Sequence, residues 1–202
     1  MLSKKTKVSL LILLVGAIIF LGYMLWVINQ RLPIINQVQD VQFESVLNKN
    51  FSFQNDKVKV VGFIYTKCPD ICPMTMQDLI KLQARLKEEQ LFGLNVQIIT
   101  ITLDPEFDTS IVLRNYASNF NIDSAGWFIL RESESETRKI ANEFQMNYKK
   151  NEAGFIAHTT KLYIVDTKNR IRSTHDMNIG GKEVEIEEIM INIKKVIKEQ
   201  AS

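Results

Sequence analysis

Residues 58–73 read VKVVGFIYTKCPDICP, and this stretch decides the fold. Its first part, residues 58–65, is a nearly continuous β-branched and apolar run, which is typical of a strand buried on both faces. The loop that follows holds both cysteines of the chain, Cys68 and Cys72. Pro73 suits the first turn of a helix, because its missing N–H needs no partner there. The stretch therefore predicts a strand, a cysteine loop and a helix, with the loop at the strand end where α/β proteins place their sites.

The remaining elements are read outward from this unit. The pattern predicts a short strand at 51–53 before it, and afterwards a helix at 73–90, a strand at 96–103, a helix at 109–120, a strand at 127–130, a helix at 134–144, strands at 160–165 and 169–173, and a helix at 182–199. This β-α-β-α order, followed by a β-hairpin and a closing helix, predicts an α/β protein with a thioredoxin-like fold. The chain is longer than that fold needs, so we also expect an added N-terminal β-hairpin and an insertion around 105–135.

Charge argues against one class of partner. The chain has 202 residues and a formal net charge of +2. Three lysines near the N-terminus, Lys4, Lys5 and Lys7, account for the positive sign, and the rest of the chain is close to neutral. A near-neutral domain has no electrostatic basis for nucleic-acid binding, so we predict none.

The N-terminal residues suggest a membrane anchor. Residues 8–28, VSLLILLVGAIIFLGYMLWVI, carry no charge and are long enough to cross a bilayer. A cleaved signal peptide is the alternative, but its apolar run is usually shorter, at about 7–15 residues. We therefore predict a cytoplasmic tip and transmembrane helix at 1–30, a tether at 31–40 and the domain at 41–202. The preceding lysines predict a single-pass protein of the cell membrane with its N-terminus in the cytoplasm and its domain outside.

The cysteine pair allows three interpretations. A structural disulfide would close a very short loop and would stabilise the fold by only about 2 kcal/mol. A thiol–disulfide oxidoreductase would use one thiolate to attack and the other to resolve, although such enzymes usually have two intervening residues and this chain has three. A soft-metal site needs two thiolates and suits copper. The helix N-terminus should favour the thiolate of Cys72, and that of Cys68 if the loop folds back.

A histidine could complete a metal site. His158 precedes the last central strand, which in a thioredoxin-like fold starts close to the cysteine loop. Two thiolates and one imidazole form a trigonal set suited to copper, so we predict Cys68, Cys72 and His158 as metal ligands. The other histidine, His175, is interpreted as a solvated turn residue, with a secondary metal contact alongside Met177 as the weaker alternative.

Three segments together resemble one family. YTKCPDICPMT at 65–75, ITITLDPEFDT at 99–109 and FIAHTTKLYIVD at 155–166 are similar to the Sco/SenC proteins, which are copper chaperones and thiol proteins needed to assemble cytochrome c oxidase. The resemblance implies a thioredoxin-like fold with an extra hairpin and copper ligands at Cys68, Cys72 and His158. It covers most of residues 40–195.

Two functions follow as expectations. The first is a copper-binding assembly factor, a metallochaperone that takes Cu(I) or Cu(II) and delivers it to the dinuclear copper centre of cytochrome c oxidase subunit II. A copper donor protein or a thiol reductant would be a further partner. The second is a thiol–disulfide reductase in which Cys68 and Cys72 form the redox pair and keep the acceptor cysteines reduced.

Overall fold

The computed structural model describes residues 4–29, 31–39, 42–47 and 51–200. The chain divides into two units, Met1–Leu32 and Pro33–Ser202. The first contains one helix, α1, at Lys4–Asn29. The domain is therefore the second unit, and it begins before residue 41, within the segment predicted as a tether.

The predicted transmembrane helix is wrong. Within the residues that the structure describes, no helix combines the length and the apolar character needed to cross a membrane. A span needs roughly 20 consecutive apolar residues in one helix. In α1 the described side chains are those of Thr6 and of residues 13–24, and the side chains of 8–12 and 25–28 lie outside the described part.

The domain combines ten strands and four helices among the described residues. The strands are β1 Asn36–Gln37, β2 Gln42–Ser45, β3 Phe51–Ser52, β4 Val58–Ile64, β5 Val96–Thr102, β6 Trp127–Arg131, β7 Tyr148–Lys150, β8 Ile156–His158, β9 Lys161–Val165 and β10 Arg170–Asp176. The helices are α2 Ile71–Glu88, α3 Ser110–Ser118, α4 Glu134–Glu143 and α5 Ile186–Gln200.

Eight strands form one mixed sheet in the order β1-β10-β9-β4-β5-β6-β2-β3. The central strands β4, β5 and β6 are parallel, and β9 runs antiparallel to β4. Every residue of β4 and β5 is buried, because apolar side chains on both faces are covered. This arrangement confirms the α/β core, and it brings the loop after β4 to the carboxyl end of the parallel strands.

Two helices begin directly after residues whose side chains cap them. Thr109 accepts a hydrogen bond from the N–H of Val112 at 3.3 Å and so caps α3. Ser133 accepts from the N–H of Glu136 at 3.3 Å and caps α4. Each cap satisfies one N–H that has no partner within its helix.

The structure also differs from the prediction at the edges. The expected N-terminal hairpin is present as β2 and β3. Residues 36–37 of the predicted tether form β1, which pairs with β10, and Val38 is buried. The region at 105–135, predicted as an insertion, contributes α3 and the strand β6 of the main sheet. The sequence did not predict β7 and β8, which form a separate two-stranded sheet.

Candidate metal and thiol site

The two cysteines occupy different environments. Cys68 lies in the loop between β4 and α2 and is half-buried, whereas Cys72 lies in the first turn of α2 and is fully buried. Both are free thiols with no disulfide between them. The pair is therefore available for metal binding or for redox chemistry, and only Cys68 of the two is exposed to solvent.

The sulfur of Cys68 acts as the N-terminal cap of α2. Asp70 stands at the N-cap of α2 but its side chain makes no capping hydrogen bond. Instead the backbone N–H of Cys72 donates to Sγ of Cys68 at 3.4 Å. Because donors at a helix start favour negative charge, the loop folds back in the way that stabilises a thiolate on Cys68.

In the folded protein the pKa of Cys68 is lowered and that of Cys72 is raised. The thiol of Cys72 donates to Cys68, and this bond is the largest cause that lowers the pKa of Cys68 from 9.0 to about 5. The same hydrogen bond, followed by burial, raises the pKa of Cys72 above its ordinary value. The favoured thiolate is therefore Cys68, which was expected only if the loop folds back, and not Cys72. Cys68 holds the negative charge because Cys72 is its proton donor.

A backbone contact determines which ring nitrogen of His158 is free to bind a metal when the ring is neutral. It is the last residue of β8, and its Nδ1 lies 2.9 Å from the carbonyl oxygen of Thr159. A carbonyl can only accept, so Nδ1 carries the proton in this contact and Nε2 of the neutral ring keeps its lone pair. This fixed tautomer is typical of an imidazole that ligates a metal through the other nitrogen.

One cavity of about 350 Å³ brings Cys68 and His158 together. Its wall also includes Tyr65, Ile71 and Phe155. Within the described part of the chain, no three or more His, Cys, Asp or Glu side chains stand close enough together to hold a metal ion. The structure thus places two of the predicted ligands on one cavity, with the third beneath Cys68, but it does not assemble them into a complete coordination sphere.

Tyr65 is a cavity residue that the sequence did not single out as functional. It directly follows β4 and is 1% exposed. Burial, together with the neighbouring negative charge of Cys68, raises its pKa to about 12. The phenol therefore remains a neutral O–H group in the cavity wall at any physiological pH.

The buried carboxylate of Asp108 holds the cysteine loop in place through hydrogen bonds. Asp108 is fully buried and accepts from the backbone N–H of Thr66 at 3.1 Å, from the Thr66 hydroxyl, and from the Thr102 hydroxyl at 2.5 Å. Burial raises the pKa of Asp108, and these three hydrogen bonds oppose that shift. The predicted motif ITITLDPEFDT therefore acts on the site by holding the loop that carries Cys68.

His175 does not belong to this site. It lies on β10, is 5% exposed, and its Nε2 lies 3.1 Å from the hydroxyl of Ser173. The interpretation of His175 as a solvated turn residue is wrong, because β10 extends to residue 176 and covers the imidazole against α5. The side-chain amide nitrogen of Asn192 in α5 lies 3.5 Å from Nε2 of His175.

A thioredoxin-like domain with a thiolate-stabilising cysteine loop and a histidine on the same cavity defines a thiol or soft-metal protein. Comparison with known proteins is more specific. The family model described as SCO1/SenC matches residues 42–198. The SCO1 protein homolog of Bacillus subtilis is 28% identical over 167 residues, covering 80% of this chain and 83% of that protein. The chain belongs to the SCO1/SenC family.

Solved structures agree with this assignment. A SCO1/SenC family lipoprotein from Bacillus anthracis superposes with a TM-score of 0.73 at 27% identity, covering 81% of this chain and 97% of that chain. BsSco, described as a member of the Sco family of cytochrome c oxidase assembly proteins with a disulfide switch, gives a TM-score of 0.71 at 26% identity, with 82% and 97% covered. Arabidopsis thaliana ScoI, solved with copper bound, shares the fold with a TM-score of 0.64 at 20% identity, with 80% and 98% covered.

Proposed function

We propose that this chain binds copper through Cys68, Cys72 and His158 and delivers it to the dinuclear copper centre of cytochrome c oxidase subunit II. The observation that carries the proposal is the pairing of a stabilised thiolate with a free imidazole nitrogen on one cavity. Thiolate sulfur and neutral imidazole are ligands that copper prefers. The family assignment and the description of BsSco as an oxidase assembly protein support the destination of the metal.

The separation of the ligands requires a movement of the histidine. His158 belongs to the β7–β8 hairpin, which makes no backbone ladder with the main sheet. Side-chain contacts hold this hairpin, such as Lys150 Nζ to Asp104 Oδ1 at 2.7 Å. A movement of the His158 side chain or of this hairpin that brings Nε2 to the two sulfurs would complete the three-ligand set.

Each ligand has a defined state before loading. Cys68 offers its thiolate to the entering ion, and the proton on Cys72 leaves as the second sulfur binds, so loading releases a proton. His158 binds as a neutral ring. Transfer would proceed by ligand exchange, in which the acceptor's sulfurs replace these ligands one at a time. A donor protein or a small-molecule thiol complex would supply the metal.

Titration of the reduced full chain with Cu(I) and Cu(II) under anaerobic conditions tests the proposal. We expect one copper per chain, lost or strongly weakened in Cys68→Ser, Cys72→Ser and His158→Ala. His175→Gln is the matched control, since it removes the other histidine far from the cavity. Copper binding that survives His158→Ala unchanged would exclude the three-ligand site.

A second function, thiol–disulfide reduction of the acceptor cysteines, is favoured by a separate observation. A low-pKa thiolate on Cys68 with a protonated, buried partner thiol is the arrangement of an attacking and a resolving cysteine. The disulfide switch described for BsSco supports the same chemistry. Turnover of a model disulfide should then persist in His158→Ala and disappear in Cys68→Ser.

We also propose that the domain lies outside the cytoplasm, where either function would bring it to the copper acceptor. Labelling of Cys68 in intact cells with a membrane-impermeant maleimide tests it. Labelling only after cell lysis would contradict the location.

A further inference from the structure

The hydroxyl of Tyr65 has no hydrogen-bond partner among the described residues, although the side chain is 1% exposed. Leaving a buried hydroxyl unpaired costs about 1–3 kcal/mol, so proteins rarely retain one without a use for it. Phenylalanine would fill the same space without this cost. The oxygen therefore calls for an explanation beyond packing.

Two aromatic side chains pack against the ring of Tyr65. Tyr65 meets Phe155 edge-on, with ring centroids 6.3 Å apart at 88°, and meets the imidazole of His158 at 6.1 Å and 86°. These contacts involve the ring and not the oxygen, since edge-to-face packing depends on the π-system. The ring of Tyr65 lines the cavity beside both side chains, and its hydroxyl takes part in neither contact.

Short of a well-formed hydrogen bond, this hydroxyl interacts with the sulfur of Cys68 and with the backbone of Ile156, and both interactions affect the pKa of Tyr65. A neutral phenol offers one O–H donor, and a thiolate sulfur accepts. Cys68 already accepts from the backbone N–H of Cys72. A thiolate sulfur has more than one lone pair, so it can accept from the phenol of Tyr65 as well as from that N–H.

We propose that Tyr65 is a positioning and tuning residue whose O–H donates to the Cys68 sulfur in the copper-loaded site and favours Cu(I) over Cu(II). This inference rests on the proposed copper function. Two thiolates, one neutral imidazole and Cu(I) carry a net charge of −1, whereas the same ligands around Cu(II) are neutral overall. A hydrogen-bond donor at the sulfur stabilises the more negative state more strongly, which raises the reduction potential of the bound copper.

Tyr65→Phe in the full chain is the test, because it removes only the oxygen. Tyr163→Phe is the matched control, since it removes a buried phenol oxygen in the core away from the cavity. Cu(I) affinity is measured by competition with a chromophoric Cu(I) chelator. For the Cu(II) form, the thiolate-to-copper charge-transfer absorption and the reduction potential are measured, and thermal unfolding of the copper-free proteins checks the fold.

We expect Tyr65→Phe to bind Cu(I) about tenfold more weakly, as removal of an outer hydrogen-bond partner commonly does. The charge-transfer band should move to lower energy, because the sulfur orbitals rise when a donor is lost, and the reduction potential should fall. Tyr163→Phe should match the parent in all three. The copper-free unfolding temperature of Tyr65→Phe should not fall, which separates tuning from structural damage.

Two results would overturn the inference in distinguishable ways. Equal Cu(I) affinity, band position and potential in Tyr65→Phe and the parent would exclude the hydrogen bond and leave the copper function intact. Failure of the parent itself to bind either copper ion would overturn the copper function and this inference together.

Discussion

The backbone nitrogen of Cys72 lies 3.4 Å from Sγ of Cys68, so the sulfur of one cysteine caps the helix that holds the other in its first turn. The thiol of Cys72 adds a second donor to the same sulfur. Cys68 therefore favours the thiolate and Cys72 favours the protonated thiol, although the two residues are only four positions apart in the sequence.

The first prediction concerns the reactivity of Cys68 with pH. Its pKa of about 5 lies far below 9.0, so alkylation by iodoacetamide should be nearly constant from pH 6.5 to 8 and should fall below pH 5. Cys72→Ala removes the largest cause of this shift and should move the inflection upward towards 9.0. Mass spectrometry of the labelled peptide gives the rate, and an unchanged inflection in Cys72→Ala would contradict the assigned donor.

The second prediction concerns Asp108. Asp108→Ala leaves the N–H of Thr66 and the hydroxyl of Thr102 without their acceptor, and should lower the free energy of unfolding by about 3 kcal/mol. Glu106→Ala, at an exposed position of the same loop, is the control and should have little effect. Urea denaturation measures both. Equal stability of Asp108→Ala and the control would show that the carboxylate does not anchor the loop.

The third prediction uses the buried imidazole of His175. Burial lowers its pKa below 6.5, the carboxylates of Glu188 and Asp176 do not reverse this shift, and the charge of Lys161 adds to it. The unfolded chain therefore binds a proton before the folded chain does, and stability is lost as the pH falls below 6.5. The loss is at most about 1.4 kcal/mol per pH unit. His175→Gln should lack this component.

Denaturation of the parent and His175→Gln at pH 8 and pH 5.5 gives the comparison. Any stability advantage of the parent over the variant should shrink at the lower pH. An advantage that grows on acidification would mean that the folded state prefers the charged ring.

The fourth prediction concerns a buried ion pair at the β9–β10 turn. Asp166 is fully buried and is contacted by Arg172 at 3.2 Å and by Arg170 at 2.7 Å. Arg172→Met removes one of the two arginines that pair with the buried carboxylate of Asp166. We therefore expect the free energy of unfolding to fall by about 3 kcal/mol. Lys194→Ala breaks a more exposed ion pair with Glu89 and should change stability little. Similar losses in the two variants would contradict the importance of burial.

Long apolar runs made the central sheet predictable. The runs at 58–65 and 96–103 became β4 and β5 with boundaries one residue shorter, because a strand buried on both faces needs little beyond local composition. The cysteine loop followed from its place between a strand and a helix. These features depend on neighbours in sequence, which is why the sequence showed them.

The parts that the sequence missed depend on distant partners. β7 and β8 are only three residues each, too short for an alternating pattern, and they exist because each pairs with the other across a turn. The unpaired hydroxyl of Tyr65 has no signature in the sequence, since the cavity around it is formed by a loop some 90 residues away. The burial of His175 likewise depends on α5.

Because Cys72 is buried and Cys68 is partly exposed, a partner can reach the cysteine pair only through Cys68. Cys68 lines the cavity and is partly exposed, whereas Cys72 is 0% exposed and does not line it. The first covalent or metal bridge to another protein must therefore form at Cys68, and Cys72 can act only afterwards and from the inside. Two chemically identical residues thus become an outer and an inner sulfur, and any exchange through them has a fixed order of events.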